Sequence, residues 1–448
     1  MFIIVDFTNF HRFEEKNPRI IIITLSIYKN SNFIAFAIKI ETIFILYTYK
    51  HTSTIILLTM SLFTFMYMLW IKYWALIYRP LIYRPWIFPA TSFWIKVGGL
   101  ALYYGFNVAF PTETVYGLGA SIWSLTAILG IFRKKRRPIT NPFIVHIPSY
   151  SDVFKHDLTC MSPNEEVVFE LLADKFWPGP LTFVVPANTA KVDPIIRNNT
   201  PFVGLRVPAD PTALALLQAA GVPIAAPSAN RYQMVSPGSA DDVYDDYTGL
   251  GIFMPILKGE KNRKRVGVES SIVMIHEVNG IVHLIILRAG AITAKNLVDT
   301  LVGMCDIPYV VVEKCNDVNG STSVAPGQAL LHYSPENATT YIGTTNTSYI
   351  GHIDSIDHAK SVLIATEKVV RVYGGKYQTC FTLPSTSKEC ASELYSVMRK
   401  ANAFCKVSGS VNIVICIEGI SGEEGCGLLE AVEDKIRRAS AGKAPIGV

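Results

Sequence analysis

The chain has 448 residues, a formal net charge of +5 and a hydrophobic fraction of 50%, so it is long enough for two or three domains with sizeable cores. The mild positive charge does not call for a nucleic-acid partner, although it allows anionic ligands. Eight cysteines form no C-x-x-C pair and no His-paired spacing, which predicts reduced thiols, no structural zinc and a cytoplasmic location.

Residues 1–90 form a hydrophobic N-terminal extension rich in Ile, Phe, Tyr, Leu, Asn and Lys. Residues 52–71 carry no charge, and a helix of that length can cross a bilayer. Asp6, Glu14 and Glu15 do not suit a mitochondrial transit peptide. Two interpretations stay open: a membrane anchor, which would add a membrane or organelle association, or a gene-model artefact or disordered extension. We expect the chemistry to need none of these residues.

A polar loop follows the first predicted strand, at 107–110. Pro111 ends that strand because proline cannot donate a ladder hydrogen bond. The loop then supplies four hydrogen-bonding side chains, namely Thr112, Glu113, Thr114 and Tyr116. A helix is predicted over 122–132, and ligands of α/β sheets bind at such strand-to-helix loops. The loop is therefore a candidate functional site.

A run of five cations, 133–137, ends the predicted helix and is followed by Pro138 and an Asn141-Pro142 turn. Cations suit the negative C-terminal end of a helix dipole. Fixed cations beside a polar loop also suit a polyphosphate, which needs several positive partners. The strand predicted next, at 143–147, carries His146 near its end.

The pattern over residues 91–314 predicts an α/β catalytic domain. Asp210 followed by Pro211 predicts a helix start, and Gly221 predicts its end. The other predicted elements are helices at 164–176, 239–247 and 293–302 and strands at 181–185, 203–207, 223–226, 268–275 and 281–287.

The composition of residues 315–336 predicts a linker. The pattern over residues 337–448 predicts a small α/β domain, in which no set of catalytic residues is recognised. Its predicted strands are 361–365, 380–383 and 411–418, and its predicted helices are 388–404 and 428–439. The linker ends in apolar and aromatic groups around Tyr333, whereas a plain tether would be rich in Gly, Ser and charge. We therefore expect a lid, with Tyr333 as its latch.

Five motifs in order resemble the YrdC-like family. They are P-T-E-T-V-Y-G-L-G-A at 111–120, K-x-R-P-x-x-N-P at 135–142, F-W-P-G-P-L-T at 176–182, G-L-R-V-P at 204–208 and A-P-S-A-N at 226–230. The resemblance covers roughly residues 97–303 and is to the two-domain branch. It implies a twisted open mixed sheet flanked by helices, followed by a smaller C-terminal α/β (Rossmann-like) domain.

The motifs are similar to those of threonylcarbamoyl-AMP synthases, which implies a reaction. L-Threonine, bicarbonate or CO2 and ATP, with Mg²⁺, would give L-threonylcarbamoyl-AMP and pyrophosphate. This is the first step of N6-threonylcarbamoyladenosine formation in tRNAs that read codons starting with A, and a downstream tRNA threonylcarbamoyl transferase would use the product. Because a carbamate oxygen attacks the α-phosphorus, the site needs positioning and charge neutralisation more than acid–base groups.

The resemblance also implies the site residues. Threonine and its carbamate would be held by Thr114, His146, Arg206 and Ser270. ATP would be held by Lys135, Arg137, Asn141, Ala226 through its backbone, Ser228, Ser236, Arg288 and Tyr333. Lys135, Arg137 and Arg206 would position the reactants, Arg206 because a guanidinium binds a carboxylate with two parallel hydrogen bonds. No covalent or acid–base catalyst is expected, and no metal ligand is predicted.

Two alternatives belong to other functional classes. The first is a double-stranded-RNA or tRNA-binding module of the same fold without catalysis, using the basic clusters 133–137 and 258–265; the aromatic residues that RNA binding uses do not stand between those cations. The second is a hydrogenase-maturation carbamoyl transferase, which expects zinc-finger cysteines and an acylphosphatase domain that this sequence lacks. Five positions depart from the family's pattern: Arg136, Gly238, Lys258, Ser271 and Ala289.

Overall fold

A computed structural model describes part of the chain. The described residues are 85–260, 265–313, 325–326, 333–335, 338–342, 358–410, 412–422 and 427–440. The uncharged run at 52–71, for which a membrane anchor was one of two open interpretations, and most of the predicted linker at 315–336 lie outside them. No helix within the described ranges is long and apolar enough to cross a membrane.

In the first α/β domain, strands and helices are interspersed along the chain. Its strands are β1 (Pro85–Pro89), β2 (Val108–Phe110), β3 (Gly117–Ser121), β4 (Ile144–His146), β5 (Leu181–Pro186), β6 (Phe202–Arg206), β7 (Ile224–Ala225), β8 (Met254–Lys258), β9 (Ser271–Val278), β10 (Ile281–Arg288) and β11 (Tyr309–Glu313). Its helices are α1 (Ser92–Tyr103), α2 (Leu125–Lys135), α3 (Ser151–Lys155), α4 (Pro163–Phe176), α5 (Pro211–Ala220), α6 (Ala240–Tyr247) and α7 (Ala294–Leu301).

These strands form one mixed sheet in the order β1-β8-β2-β3-β7-β4-β6-β5-β9-β10-β11. Neighbours such as β4 and β6 run parallel, whereas β4 and β7 run antiparallel. Every residue of β2, β3 and β4 is buried, as expected for central strands covered on both faces. The expected open mixed sheet flanked by helices is therefore confirmed.

The helix signals of the sequence have physical counterparts. The Asp210 carboxylate accepts hydrogen bonds from the backbone N–H groups of Thr212 and Ala213, at 2.8 and 3.1 Å, and so caps α5. Gly221 ends α5 in the left-handed region, with φ +63°, where a side chain would be strained. Helix α4 begins with a capping box between Ser162 and Glu165.

The C-terminal domain is a second, smaller α/β unit. It contains β12 (Ala338–Ile342), β13 (Ser361–Thr366), α8 (Glu367–Tyr373), β14 (Thr379–Leu383), α9 (Ser387–Ser408), β15 (Asn412–Cys416) and α10 (Leu428–Ala439), with short 3-10 helices at His358–Lys360 and Gly374–Lys376. The strands are all parallel, in the order β12-β15-β13-β14. Alternate residues of β13 pack toward α9 and α10 or toward α8, which gives the expected layered arrangement.

The sequence analysis missed β1, α1, β3, α3, β8, β11, β12 and α8. Because β3 follows the polar loop and pairs antiparallel with β2, that loop joins two strands and not, as expected, a strand and a helix. Strand β1 lies before residue 90, where the sequence analysis ended the N-terminal extension, yet it pairs in parallel with β8 from Pro85↔Met254 to Pro89↔Lys258. Residues 85–89 therefore belong to the large sheet. Prolines at both ends hid the strand, and they are tolerated because β1 is at the sheet edge.

We predict that a chain of residues 91–448 unfolds at a lower temperature than a chain of residues 78–448. The shorter chain lacks β1, which leaves the edge of β8 without its partner and uncovers the core side chains against which Ile87 packs. Thermal unfolding followed by circular dichroism measures the difference. Equal unfolding temperatures would show that β1 adds nothing to the fold.

Candidate active site

A single pocket gathers most of the predicted site residues. The space inside it, including the part that is open to solvent, is about 580 Å³. The lining residues are Thr112, Thr114, Val115, Tyr116, Gly117, Arg137, Pro142, Ile144, His146, Arg206, Ala226, Pro227, Ser228, Glu269, Arg288, Pro326 and Tyr333. Residues predicted from both the threonine set and the ATP set thus share one cavity.

The register of the sheet brings these residues together. Strands β4 and β6 pair so that His146 lies opposite Arg206. The N–H of Ala226 donates to the carbonyl of Ile144 at 3.0 Å, which places the loop after β7 beside β4. Gly117 forms an isolated bridge to Ser228. Segments distant in sequence therefore meet at one point because their strands are hydrogen-bonded neighbours.

The polar loop after β2 is held by its own side chains. The hydroxyl of Thr112 donates to the carbonyl of Val115 at 2.6 Å and lies 2.9 Å from the hydroxyl of Thr114. Tyr116 accepts a hydrogen bond from the N–H of Gly259 at 3.0 Å. A Cβ at Gly259 would lie 2.9 Å from the Pro111 Cβ, so a residue without a side chain is required there.

Arg206 forms a buried ion pair with Glu113. Its Nη2 lies 2.6 Å from Glu113 Oε1, and its Nε donates to the carbonyl of Gly179 at 3.3 Å. The other carboxylate oxygen, Glu113 Oε2, is buried and has no hydrogen-bond partner in the structure. The sequence analysis placed Glu113 in the polar loop but not among the site residues. Its ion pair with Arg206, the predicted threonine-binding arginine, could not be predicted from the sequence.

His146 is buried and electrically neutral at working pH. Burial, and next the positive charge of Arg206, lower the pKa of His146 to about 3. Its Nδ1 lies 3.3 Å from the carbonyl oxygen of Ile144. Because a carbonyl only accepts, Nδ1 is the protonated nitrogen, and Nε2 is left as an acceptor.

Three cations of the basic run, Lys134, Lys135 and Arg137, have their side chains turned toward the protein. Lys135 is buried and donates to the carbonyls of Ser228 and Asn230, while Lys134 donates to Asn107 Oδ1 at 2.6 Å. Arg136 ends α2 in the left-handed region, with φ 52°, and this reversal directs the chain back toward the pocket. The run is therefore neither a solvated helix end nor a continuous basic surface for RNA.

Arg137 reaches the pocket itself. Its Nη2 donates to the carbonyl of Pro142 at 2.8 Å, and its guanidinium lies 5.2 Å from the centroid of the Phe143 ring. Its Nε is buried without a hydrogen-bond partner in the structure. Burial lowers the pKa of Arg137 to about 10, so the group stays cationic and has a donor to offer an anion.

Arg288 connects the pocket to Ser270. Its Nε and Nη2 donate to the carbonyl and the hydroxyl of Ser270, at 2.9 and 3.0 Å. The Ser270 hydroxyl also lies 2.8 Å from the hydroxyl of Thr182. Ser270 is fully buried, so in this structure it supports the arginine from behind.

Four predicted residues do not line the pocket in this structure: Lys135, Asn141, Ser236 and Ser270. Lys135 and Ser270 hydrogen-bond to lining residues, as above, and Ser236 donates to Glu269 Oε1 at 2.7 Å. Asn141 donates to the hydroxyl of Tyr232 at 3.1 Å, which is also outside the lining. Their roles toward ligands stay predictions.

Glu269 and Tyr395 were missed by the sequence analysis. Glu269 lines the pocket, and its Oε2 accepts a hydrogen bond from the hydroxyl of Tyr395, on α9, at 2.6 Å. Tyr395 in turn stacks on Tyr333, with ring centroids 5.7 Å apart. Glu269 stands directly before the predicted Ser270, in the segment that matches the family's E-S-T motif, and Tyr395 ends an A-x-x-L-Y segment that loosely resembles the C-terminal domain of the two-domain branch. Neither signal indicated that the two residues meet.

The five departures from the family's pattern lie outside the pocket lining. The Ser271 hydroxyl donates to the Ile292 carbonyl at 2.7 Å, and the N–H of Gly238 donates to Asp242 Oδ2 at 2.9 Å. Lys258 pairs with Asp241 at 3.5 Å on the surface.

The described ranges contain neither a metal-binding cluster nor a disulfide bond. No group of three or more His, Cys, Asp or Glu residues there is arranged to hold a metal ion. The six described cysteines, at 160, 305, 380, 390, 405 and 416, are free thiols.

Comparison with known proteins bears on both domains. Residues 101–290 match the Sua5–YciO–YrdC family model, described as telomere recombination, and residues 292–441 match the model described as the C-terminal domain of threonylcarbamoyl-AMP synthase. The threonylcarbamoyl-AMP synthase of Pyrococcus abyssi is 34% identical over 340 residues, or 74% of this chain and 90% of that protein. That of Bacillus subtilis is 33% identical over 295 residues, or 65% of this chain and 80% of that protein.

A solved structure shares the fold of both domains. The crystal structure of P. abyssi Sua5 complexed with L-threonine is similar with a TM-score of 0.64 and 30% identity, and the match covers 80% of this chain and 97% of that one. Identity at this level over nearly the whole relative shows common family. The chain belongs to the Sua5–YciO–YrdC family, in the branch that carries the threonylcarbamoyl-AMP synthase C-terminal domain.

Proposed function

We propose that this protein is an enzyme that makes L-threonylcarbamoyl-AMP and pyrophosphate from L-threonine, bicarbonate or CO2, and ATP. The observation that carries the proposal is one pocket with two kinds of polar end. Arg206, His146, Thr114, Arg137 and Arg288 all line it; we assign the first three to a threonine end and the last two to a nucleotide end. The names of the relatives support the same reaction.

At the threonine end, Arg206 binds the α-carboxylate of the amino acid. A guanidinium offers a carboxylate two parallel charged hydrogen bonds, and the Glu113 carboxylate already fixes its orientation at 2.6 Å. The neutral imidazole of His146 and the hydroxyl of Thr114 add an acceptor and a donor for the polar groups next to it. The L-threonine in the similar P. abyssi structure supports this assignment of substrate.

At the nucleotide end, Arg137 and Arg288 neutralise the triphosphate. The unpartnered Nε of Arg137 gives a phosphate oxygen a charged donor. The loop after β7 contributes the Ser228 hydroxyl and backbone groups at a strand end, where nucleotide phosphates commonly bind. Lys135 acts from behind by holding the Ser228 and Asn230 carbonyls.

The reaction needs these groups because negative charge shifts to the leaving group when the bond to the α-phosphorus breaks. The threonine amine, once its ammonium form has lost a proton to solvent, adds to CO2 and releases a second proton, which gives a carbamate; a carbamate oxygen then attacks the α-phosphorus, and pyrophosphate leaves. Buried arginines aimed at the phosphates stabilise the charge that builds up on the leaving group. Mg²⁺ would enter with ATP and would add charge neutralisation at the phosphates, since this ion binds mainly through substrate phosphates and water.

The product is an activated intermediate for tRNA modification, handed to a threonylcarbamoyl transferase in the cytoplasm. Free thiols at the described cysteines suit that reducing compartment. The RNA-binding alternative is not favoured, because Lys134, Lys135 and Arg137 of its main basic cluster bind protein groups.

The direct test incubates the purified chain with isotope-labelled threonine, bicarbonate and ATP. We expect equal amounts of pyrophosphate and threonylcarbamoyl adenylate, identified by mass spectrometry. Pyrophosphate formed without threonine, or no adenylate at all from a folded protein, would contradict the proposal.

We predict that Arg206→Ala raises the KM for threonine about ten-fold or more, because each charged hydrogen bond contributes about 1.5–3 kcal/mol. The KM for ATP should change much less. Arg371→Ala is the matched control, since that arginine is exposed on α8 and pairs only with Glu367 of its own helix among the described contacts. A weakened ATP constant with an unchanged threonine constant would reverse the assignment of the two ends.

We predict different outcomes for two neighbouring cations. Arg137→Ala should weaken ATP binding, measured by calorimetry, with little loss of thermal stability. Lys135→Ala should lower both ATP affinity and thermal stability, because it removes the buried ammonium group that donates hydrogen bonds to the Ser228 and Asn230 carbonyls. Threonine binding should survive in both variants; its loss to the same degree would mean that the basic run only supports the fold.

We predict a pH effect on stability from His146. Its folded pKa of about 3 lies below the unfolded value of 6.5, so the unfolded state binds the proton first as pH falls. The free energy of unfolding should therefore decrease below pH 6.5 by about 1.4 kcal/mol per pH unit from this group. Urea unfolding at pH 7 and pH 5 should show a smaller decrease for His146→Gln than for the natural chain. Equal decreases would mean that His146 titrates normally.

A further inference from the structure

The C-terminal domain reaches the wall of the pocket through a chain of buried hydrogen bonds. The hydroxyl of Tyr395 donates to Glu269 Oε2 at 2.6 Å, and the hydroxyl of Ser236 donates to Glu269 Oε1 at 2.7 Å. Tyr395 is 2% exposed, Glu269 6% and Ser236 0%. Both oxygens of one pocket carboxylate are thus held, one from each domain.

The same helix, α9, holds the backbone of Ser236. Arg399 stands one turn after Tyr395, and its Nε donates to the Ser236 carbonyl at 3.3 Å. Its two Nη atoms bind the Asp246 carboxylate at 2.9 and 2.8 Å. Ser236 is therefore fixed from α9 twice, at its carbonyl by Arg399 and at its hydroxyl by way of Glu269.

If the contact served only to hold the two domains together, it would not need a buried carboxylate with hydrogen bonds to both oxygens. Burying a carboxylate costs desolvation free energy, and apolar side chains of similar shape stabilise an interface at least as well. Satisfied polar networks instead fix a single geometry. The position of this network at the pocket wall, rather than elsewhere in the interface, indicates that the geometry it fixes is that of the site.

We propose that Tyr395 is a positioning residue for the nucleotide: through Glu269 it sets the hydroxyl of Ser236 and directs the carboxylate away from the phosphates. The proposal rests on the function proposed above and on the assignment of Ser236 to ATP that the family resemblance implies. Without the Tyr395 hydroxyl, Glu269 Oε2 lacks its donor. The carboxylate is then free to turn toward the pocket, where its charge opposes the triphosphate, and Ser236 loses its fixed rotamer.

The test compares Tyr395→Phe with the natural full chain. We expect an increase of about ten-fold in the KM and Kd for ATP, the size of one hydrogen bond to a charged group, with the KM for threonine and the unfolding temperature nearly unchanged. Tyr377→Phe is the matched control, because Tyr377 is a buried tyrosine of the same domain that packs in the layer around α8. An unchanged ATP constant in a folded Tyr395→Phe protein would overturn the proposal, as would parallel losses in ATP and threonine binding.

A double-mutant cycle tests the route through Ser236. Ser236→Ala should weaken ATP binding, and adding Tyr395→Phe should then cost much less than it does alone, because coupled residues are not additive. Full additivity would show that Tyr395 does not act through Ser236. ATP binding measured by calorimetry does not depend on turnover, so this result is independent of the product assay. A natural chain that binds ATP but forms no adenylate would contradict the proposed function, but not the positioning role of Tyr395.

Discussion

The site depends on the pairing of β4 with β6 and β7 in the centre of the large sheet. This register sets His146 opposite Arg206 and brings the loop after β7 against Ile144. A slip of one residue would turn every side chain of a strand to the other face of the sheet. Such a slip in β4 would move the imidazole of His146 from the pocket into the apolar core that contains Val145, at the cost of burying a polar group without a partner.

Electrostatic imbalance is the second property of the pocket. Arg137, Arg206 and Arg288 line it, and Glu269 is the acidic residue among the lining groups. Glu113 stands behind Arg206 with one oxygen engaged. Buried cations without full compensation cost stability in the empty protein, and a bound polyanion offsets that cost. The free energy of these buried cations is unfavourable without an anion and becomes favourable with bound phosphates, as expected for an enzyme that binds ATP.

Part of the fold could be predicted from the sequence because local chemistry determined it: the Asp210 cap and the Gly221 helix end follow from short-range signals. The residues that line the pocket were predicted instead from the resemblance of five motifs to the YrdC-like family. What could not be predicted depends on tertiary pairing. Strand β1 is defined by its partner β8 rather than by its own pattern, and Tyr395 meets Glu269 only because α9 docks beside the pocket.

Lys135 shows the limit of transferring a role from a motif. The sequence placed it among phosphate ligands because lysine is a cation in a basic run. In the fold its ammonium group is enclosed by the Ser228 and Asn230 carbonyls, and burial lowers its pKa well below the usual value. We therefore propose that Lys135 serves the nucleotide end by holding the loop after β7 through these hydrogen bonds.

The central claim is that the threonine end and the nucleotide end belong to one pocket. A crystal structure of the protein with L-threonine and a non-hydrolysable ATP analogue tests it most directly. The account predicts the threonine carboxylate on Arg206 and the triphosphate beside Arg137 and Arg288, with the amine and the α-phosphorus separated by no more than the carbamate that must join them. Threonine bound away from Arg206, or the two ligands in separate cavities, would contradict it.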